Sequence, residues 1–217
     1  MKKKSVIIVI VVGVLLILAG VVAGLLIHKK NVEDNTFVAE RSAICVKKDG
    51  TIVEAGIEEF DTTVYDATEL DSFIRDEVIK YNTSAGEERI TVQQITVENN
   101  IATMYLEYKS AKDYEAFHGE TFFVGSLSDA VATGYLDDVE FYTIYDATVG
   151  RKISLSEVAG EDLKVVIMSE RLGIYVKGEI AYISTNMKLI DKGTAFLNEN
   201  VADTEEYLVV IFTQNKR

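Results

Sequence analysis

The chain has 217 residues, with 22 Lys and Arg against 35 Asp and Glu, a formal net charge of −13, two histidines, one cysteine, and neither proline nor tryptophan. So acidic a chain repels nucleic-acid phosphates, which excludes nucleic acid as a partner. A single thiol excludes an internal disulfide, and a chain without proline has no polyproline stalk.

The first predicted element is apolar. From Val6 to Ile27 the chain carries 22 residues without a charged or amide side chain, and as a helix these reach about 33 Å, against about 30 Å of bilayer hydrocarbon. The predicted organisation is a cytoplasmic leader at 1–4, a transmembrane helix at 5–27, a linker at 28–40 and an extracytoplasmic domain at 41–217. Lys2, Lys3 and Lys4 before the run, and Lys29 and Lys30 after it, are the expected membrane-interface anchors. The apolar run continues past the best cleavage site, Val21-Val22-Ala23, so the helix is expected to be kept as a signal anchor. The bilayer is then the first partner, through residues 5–27. Gly20 and Gly24 stand four apart beside Ala19 and Ala23, a spacing that lets two helices pack closely in lipid and that would serve a membrane-protein partner. A short basic leader stays in the cytoplasm, placing the C-terminal portion outside the cell membrane. All 35 acidic residues and 17 of the 22 basic ones follow Lys30, so that portion has a formal charge near −18.

Beyond the linker, "AICVKKDGTIVEAGIE" predicts a hairpin turned at Asp49-Gly50 in type I′ geometry, with Cys45 on the strand face of Ala43, opposite Ile44 and Val46. "DATELDSFIRDEVIKYN" predicts an amphipathic helix of about 13 residues with Thr68 as N-cap and Asp71 three residues on. "RITVQQITVENNIATMYLEY" predicts a second hairpin turned at Asn99-Asn100, with Ala102, Met104, Leu106 and Tyr108 on one face. "SAKDYEAFHG" reads as a short helix from Ser110 to Gly119, "TFFVG" as a strand, and "SLSDAVATG" as a one- or two-turn helix ending at Gly134. Strands follow in "VEFYTIY", "LKVVIM", "IYVKGEIAYIS" with a turn at Lys177-Gly178, "MKLID" and "YLVVIF"; the six apolar residues of the last predict a strand covered on both faces. The fold class is α+β: an N-terminal transmembrane helix, then a mostly antiparallel sheet domain with two or three short helices. "YDAT" occurs at 65–68 and at 145–148, but the sequences after it diverge, so it is read as a chance repeat.

Chemistry is sparse. Beyond the edge of the span there is one histidine, His118, and one cysteine, so the usual zinc site is excluded and no cofactor or metal is expected. His118 falls in the last turn of a short helix, where a cation suits the dipole; Cys45 reads as a small buried hydrophobe. "LDDVE", with Asp137, Asp138 and Glu140, reads as solvated charge. No serine lies in a Gly-x-Ser-x-Gly elbow or precedes a lysine by three. Two carboxylates suffice for glycoside hydrolysis, and Glu58, Glu59 and Asp61 form a local cluster, but no spacing selects a pair; no catalytic residue is assigned.

Leu18 to Val21, "LAGV", resembles a bacterial lipobox in which Val21 stands where the acylated cysteine would be, and valine offers no nucleophile for lipid. The runs "VKKDGTIVE", "FDTTVYDATELDSFIRDEVIKYN" and "IATMYLEYKSAKDYEAFHGETFFVGSLSDAVATGY" are similar to the extracytoplasmic part of a group of uncharacterised Gram-positive bacterial lipoproteins, over most of the chain after about residue 40. The resemblance implies a cell-surface location and supplies no functional residues. The expected function is a noncatalytic binding or assembly module at the cell surface, held by a transmembrane anchor and meeting a membrane or cell-surface protein. A carboxylate-dependent cell-wall hydrolase is the alternative.

Overall fold

The computed structural model describes residues 37–201 and 206–214. The chain divides into Met1–Val38 and Ala39–Arg217, and every regular element among the described residues belongs to the second unit. The expected span at 5–27, with Gly20 and Gly24, and the expected anchors Lys2, Lys3, Lys4, Lys29 and Lys30 lie outside the described residues. Among those described, no helix is long and apolar enough to cross a membrane.

The first hairpin pairs β1 (Ala43–Val46) with β2 (Ile52–Glu59) antiparallel. Its turn differs from expectation. Gly50 has φ +90°, whereas Asp49 keeps a negative φ, and Gly50 N–H bonds the Lys47 carbonyl at 3.1 Å. Only the glycine takes the left-handed position, so the loop is not the two-residue type I′. The next helix, α1 (Ala67–Ala85, 19 residues), is longer than its apolar spacing predicts. Asp66, not Thr68, is the N-cap, its Oδ1 accepting the N–H groups of Thr68 at 2.6 Å and Glu69 at 3.3 Å. At the other end the Thr83 and Ser84 hydroxyls bond the carbonyls of Ile79 and Lys80, carrying the helix to a left-handed Gly86. The second hairpin, β3 (Ile90–Glu98) with β4 (Ile101–Tyr108), turns where expected, Asn99 and Asn100 taking φ 52° and 62°.

Both short helices follow their caps: α2 (Ala111–His118) between Ser110 and Gly119, and α3 (Leu127–Thr133) between Ser126 and Gly134, with β5 (Phe122–Ser126) between them. The two copies of "YDAT" take different structures. Asp66 caps α1, while Asp146 and Ala147, at φ 46° and 56°, turn the hairpin of β6 (Glu140–Tyr145) and β7 (Thr148–Ser154). A short 3₁₀ turn (Leu155–Glu157) leads to β8 (Leu163–Met168).

"IYVKGEIAYIS" yields β9 (Gly173–Val176) and β10 (Glu179–Ser184), but they are not a hairpin. β9 pairs parallel with β1, whereas β10 pairs with β6 and with β13 (Leu208–Thr213), in another sheet. The chain changes sheets at Gly178, where a Cβ would sit 2.2 Å from the Thr213 carbonyl oxygen; only glycine permits so close a crossing. With β11 (Met187–Asp191) and β12 (Thr194–Leu197), the strand orders are β11-β12-β9-β1-β2-β4-β3 and β5-β8-β13-β10-β6-β7. Apart from β1 with β9, each pair is antiparallel, giving an α+β domain with three α-helices among the described residues.

β13 lies inside the six-stranded sheet and is apolar on both faces. Val209 and Ile211 join Val165, Ile167, Phe141 and Ala130 in one buried cluster, while Leu208, Val210 and Phe212 are buried on the opposite side. Tyr114 of α2 ties the sheets together, its ring 5.0 Å from Tyr108 of the first sheet and 4.5 Å from Phe122 of the second.

Candidate functional site

Alternation along β2 places Glu54 on the face of Ile52, and its cross-strand neighbours are Ile44 and Leu106. All three are buried to 1% exposure or less, and so is Glu54. A lone carboxylate there is untenable, because a buried charge survives only with a partner and filled hydrogen bonds. The structure supplies both from elements about 55 to 65 residues along the chain. Tyr108, at the end of β4, donates its hydroxyl proton to Glu54 Oε2 at 2.5 Å. His118, in the last turn of α2, brings Nε2 to 3.1 Å from that oxygen and 2.9 Å from the Tyr108 oxygen.

Around this triangle the chain packs rings and further acids. The His118 imidazole stacks on Tyr114 at 4.3 Å, and the Tyr114 hydroxyl donates to Glu170 Oε2 at 2.6 Å. Burial acts to push the imidazole down, but the Glu54 carboxylate outweighs it, with Glu170 and Glu120 adding, and His118 is lifted to about 9. It is therefore an imidazolium at neutral pH. Burial likewise acts to raise Glu54, yet the His118 charge and the two hydrogen bonds hold it below the ordinary carboxylate value. Glu170 goes the other way: its own burial exceeds the help from His118 and the Tyr114 hydroxyl, so it is raised. Burial, with Glu54 and Glu170 nearby, lifts the hydroxyls of Tyr108 and Tyr114 well above their usual value, so both stay protonated donors.

Two carboxylates displaced in opposite directions beside one imidazole is a pattern shared with acid–base sites. Here the pattern is enclosed. The His118 side chain is 12% exposed and that of Glu54 2%. Both hydrogen bonds of the ring run through Nε2, and no buried side-chain nitrogen or oxygen among the described residues lacks a partner, so Nδ1 is the atom that meets water. The cluster therefore acts as a charged clip, fastening α2 to β2 and to the segment after β8.

No protein-family model, curated protein or solved structure matches this chain.

The other sequence candidates do not converge. Glu58 is half-buried, raised by burial, and accepts from the Ser42 hydroxyl at 2.9 Å; Glu59 is its exposed neighbour, and Asp61 accepts from Thr63. Asp137 and Asp138 are exposed, and Glu140 pairs with Lys152. No group of three metal-ligating side chains occurs among the described residues. Cys45 is buried, as its strand position implies. His118 does occupy the last turn of α2, and the Glu54 carboxylate, set against burial, keeps it charged. Glu54 carries one mark in the sequence: it is a glutamate on the same strand parity as Ile52, in a chain with one histidine after residue 30.

A second feature is open where the clip is closed. A groove of about 310 Å³ lies between the first turns of α1 and the end of β3, lined by Ala67, Thr68, Asp71, Ile95, Thr96 and Val97. Beside it Val64, Tyr65 and Ile101 are 66%, 41% and 37% exposed. Among the described residues β3 is the last strand of its sheet, so the groove borders the outer edge of that strand.

Proposed function

We propose that this chain is a single-pass membrane protein whose acidic α+β domain lies outside the cell and works as a noncatalytic binding or assembly module. The apolar run at 5–27, the lysines on either side of it and the acidic remainder support the anchor and its orientation. The observation that carries the noncatalytic reading is the enclosure of Glu54, Tyr108 and His118. The one imidazole beyond the span is committed to a buried carboxylate and a tyrosine, with a ring stacked on it, and the protonation of the group is set for holding charge in place.

One observation favours the alternative, a carboxylate-dependent wall hydrolase: Glu54 and Glu170 are displaced in opposite senses, as a nucleophile and an acid would be. The full-length chain in membranes, incubated with purified wall glycan, separates the two. A binding module releases no reducing ends above the level of Glu170→Gln. Release by the wild type that disappears in Glu170→Gln refutes the noncatalytic reading. A membrane-impermeant label applied to intact cells tests the anchor, since lysines of the domain must react while Lys2, Lys3 and Lys4 do not.

A further inference from the structure

We propose that the free edge of β3 at Ile95 and Val97 is a strand-addition site for an extended, basic segment of a partner protein. The inference rests on the binding-module reading and names the site and the partner's chemistry.

The hydrogen-bonding phase of β3 is fixed at both ends. Lys109 N–H bonds the Arg89 carbonyl at 2.9 Å, and the two-residue Asn99-Asn100 turn makes Glu98 and Ile101 a bonded pair. On β4, residues 101, 103 and 105 therefore face β3, bonding residues 98, 96 and 94, and the N–H and C=O groups of Ile95 and Val97 point away from the sheet. At the start of the strand the same outward groups are covered: the Asn82 side-chain amide takes the Ile90 N–H at 2.9 Å and donates to the Ile90 carbonyl at 2.8 Å, imitating a neighbouring strand. A bulge between Val92 and Gln94 disrupts the middle. Past it nothing among the described residues pairs with the outward groups of Ile95 or Val97, and β3 carries neither the lysine nor the proline that commonly guard such an edge.

The surroundings select the occupant. A strand laid along this edge would place alternate side chains in the 310 Å³ groove against the first turns of α1. Asp66 and Glu69 stand in that turn, Asp71 lines the groove and Glu98 follows Val97. Thr68 and Glu69 N–H groups hold the Asp66 carboxyl low and charged, whereas Arg75 both lowers Asp71 and neutralises it through an ion pair to its two oxygens, so the acids left open to a cation are Asp66, Glu69 and Glu98. No lysine or arginine occurs between Lys48 and Arg75, nor between Arg89 and Lys109, the stretches that build the groove and its rim. A second copy of this chain would bring the same acids edge to edge; a segment alternating lysine with β-branched residues brings charge and strand geometry that fit.

The test uses the full-length chain in uncharged detergent and two labelled nine-residue peptides, one alternating lysine with valine and one alternating glutamate with valine. The lysine peptide binds at least tenfold more tightly at low salt, weakens as salt rises, and protects the Ile95 and Val97 amides from exchange. Val97→Pro removes an outward N–H without touching the ladder to β4 and lowers affinity at least tenfold. Glu69→Lys with Glu98→Lys, both exposed, reverses the peptide preference should Val97→Pro fail to fold. Equal binding of both peptides, protection elsewhere, or a wild-type dimer that Val97→Pro converts to monomer overturns the proposal. Those results leave the noncatalytic reading standing, which falls only if wall glycan is cleaved.

Discussion

Replacing Glu54 by glutamine tests the charged clip, because it removes the anion while keeping shape and hydrogen-bonding capacity. His118 rises from an ordinary 6.5 to about 9 in the folded chain, and at about 1.36 kcal/mol per unit that displacement corresponds to about 3 kcal/mol of stability. The lowered value of Glu54 describes the same ion pair and is not counted again. Since the folded value lies above the unfolded one, the contribution is complete below about pH 6.5, declines by up to about 1.4 kcal/mol per unit as the pH rises, and is gone above about pH 9. Urea unfolding of the full-length chain in detergent, followed through its tyrosines, should show this loss between about pH 6 and about pH 9.5 at nearly constant m. In Glu54→Gln the alkaline loss disappears. Burial is then opposed only by Glu170 and Glu120, so the imidazole falls back from about 9 and the alkaline window closes with it. A variant that keeps the wild-type alkaline loss would refute the assignment of that loss to this pair.

Three further outcomes follow from single positions. Burial lifts the Cys45 thiol to about 11, Lys177 and Lys47 offsetting only part of it, so an aromatic disulfide reagent at mildly alkaline pH should label the native chain at least about tenfold more slowly than the urea-unfolded one. Ala147 holds φ 56° in the β6–β7 turn, where an alanine is strained; Ala147→Gly should raise the urea midpoint by an amount equivalent to about 0.5–1 kcal/mol. Asn82 fills three main-chain groups, the N–H of Arg89 and the N–H and carbonyl of Ile90, and Asn82→Ala should lower unfolding stability by about 1–3 kcal/mol.

What the sequence revealed and what it hid divides by range of interaction. Ser110 with Gly119, Ser126 with Gly134 and Asn99-Asn100 act within one turn, and the helices and hairpin they mark lie where the residues predict. "YLVVIF" announces a covered strand because apolarity on both faces is a property of the segment itself. The misreadings arise where distant elements decide. Asp66 and Thr68 are both competent caps, and Ala67 allows the helix to begin at the earlier one. "IYVKGEIAYIS" carries every local mark of a hairpin, but β1 offers β9 a parallel partner and β13 offers β10 an antiparallel one, so the turn becomes a crossing. Glu54 takes its meaning from His118, 64 residues away, a relation no local pattern contains. The free edge of β3 is likewise invisible until the strand order shows which strand is last.

The clip also raises the question of why a charge is buried in β2 at all. Removing one partner from a buried pair costs about 3–5 kcal/mol, while replacing both by apolar residues is often neutral or stabilising by about 1–4 kcal/mol. His118→Leu alone should therefore weaken the fold by the larger amount, softened by the Tyr108 hydroxyl that still donates to Glu54. Glu54→Leu with His118→Leu, made in a Tyr108→Phe background so that no buried hydroxyl is left without its two partners, should recover most or all of that loss. If it does, the pair's contribution is positional: it selects the one placement of α2 in which Tyr114 reaches Tyr108 and Phe122 together. The combined variant should then unfold at wild-type urea concentrations yet show broadened α2 resonances and reduced amide protection over Ala111–His118. A combined variant as destabilised as His118→Leu alone would instead make the ion pair a net source of stability and remove the positional argument.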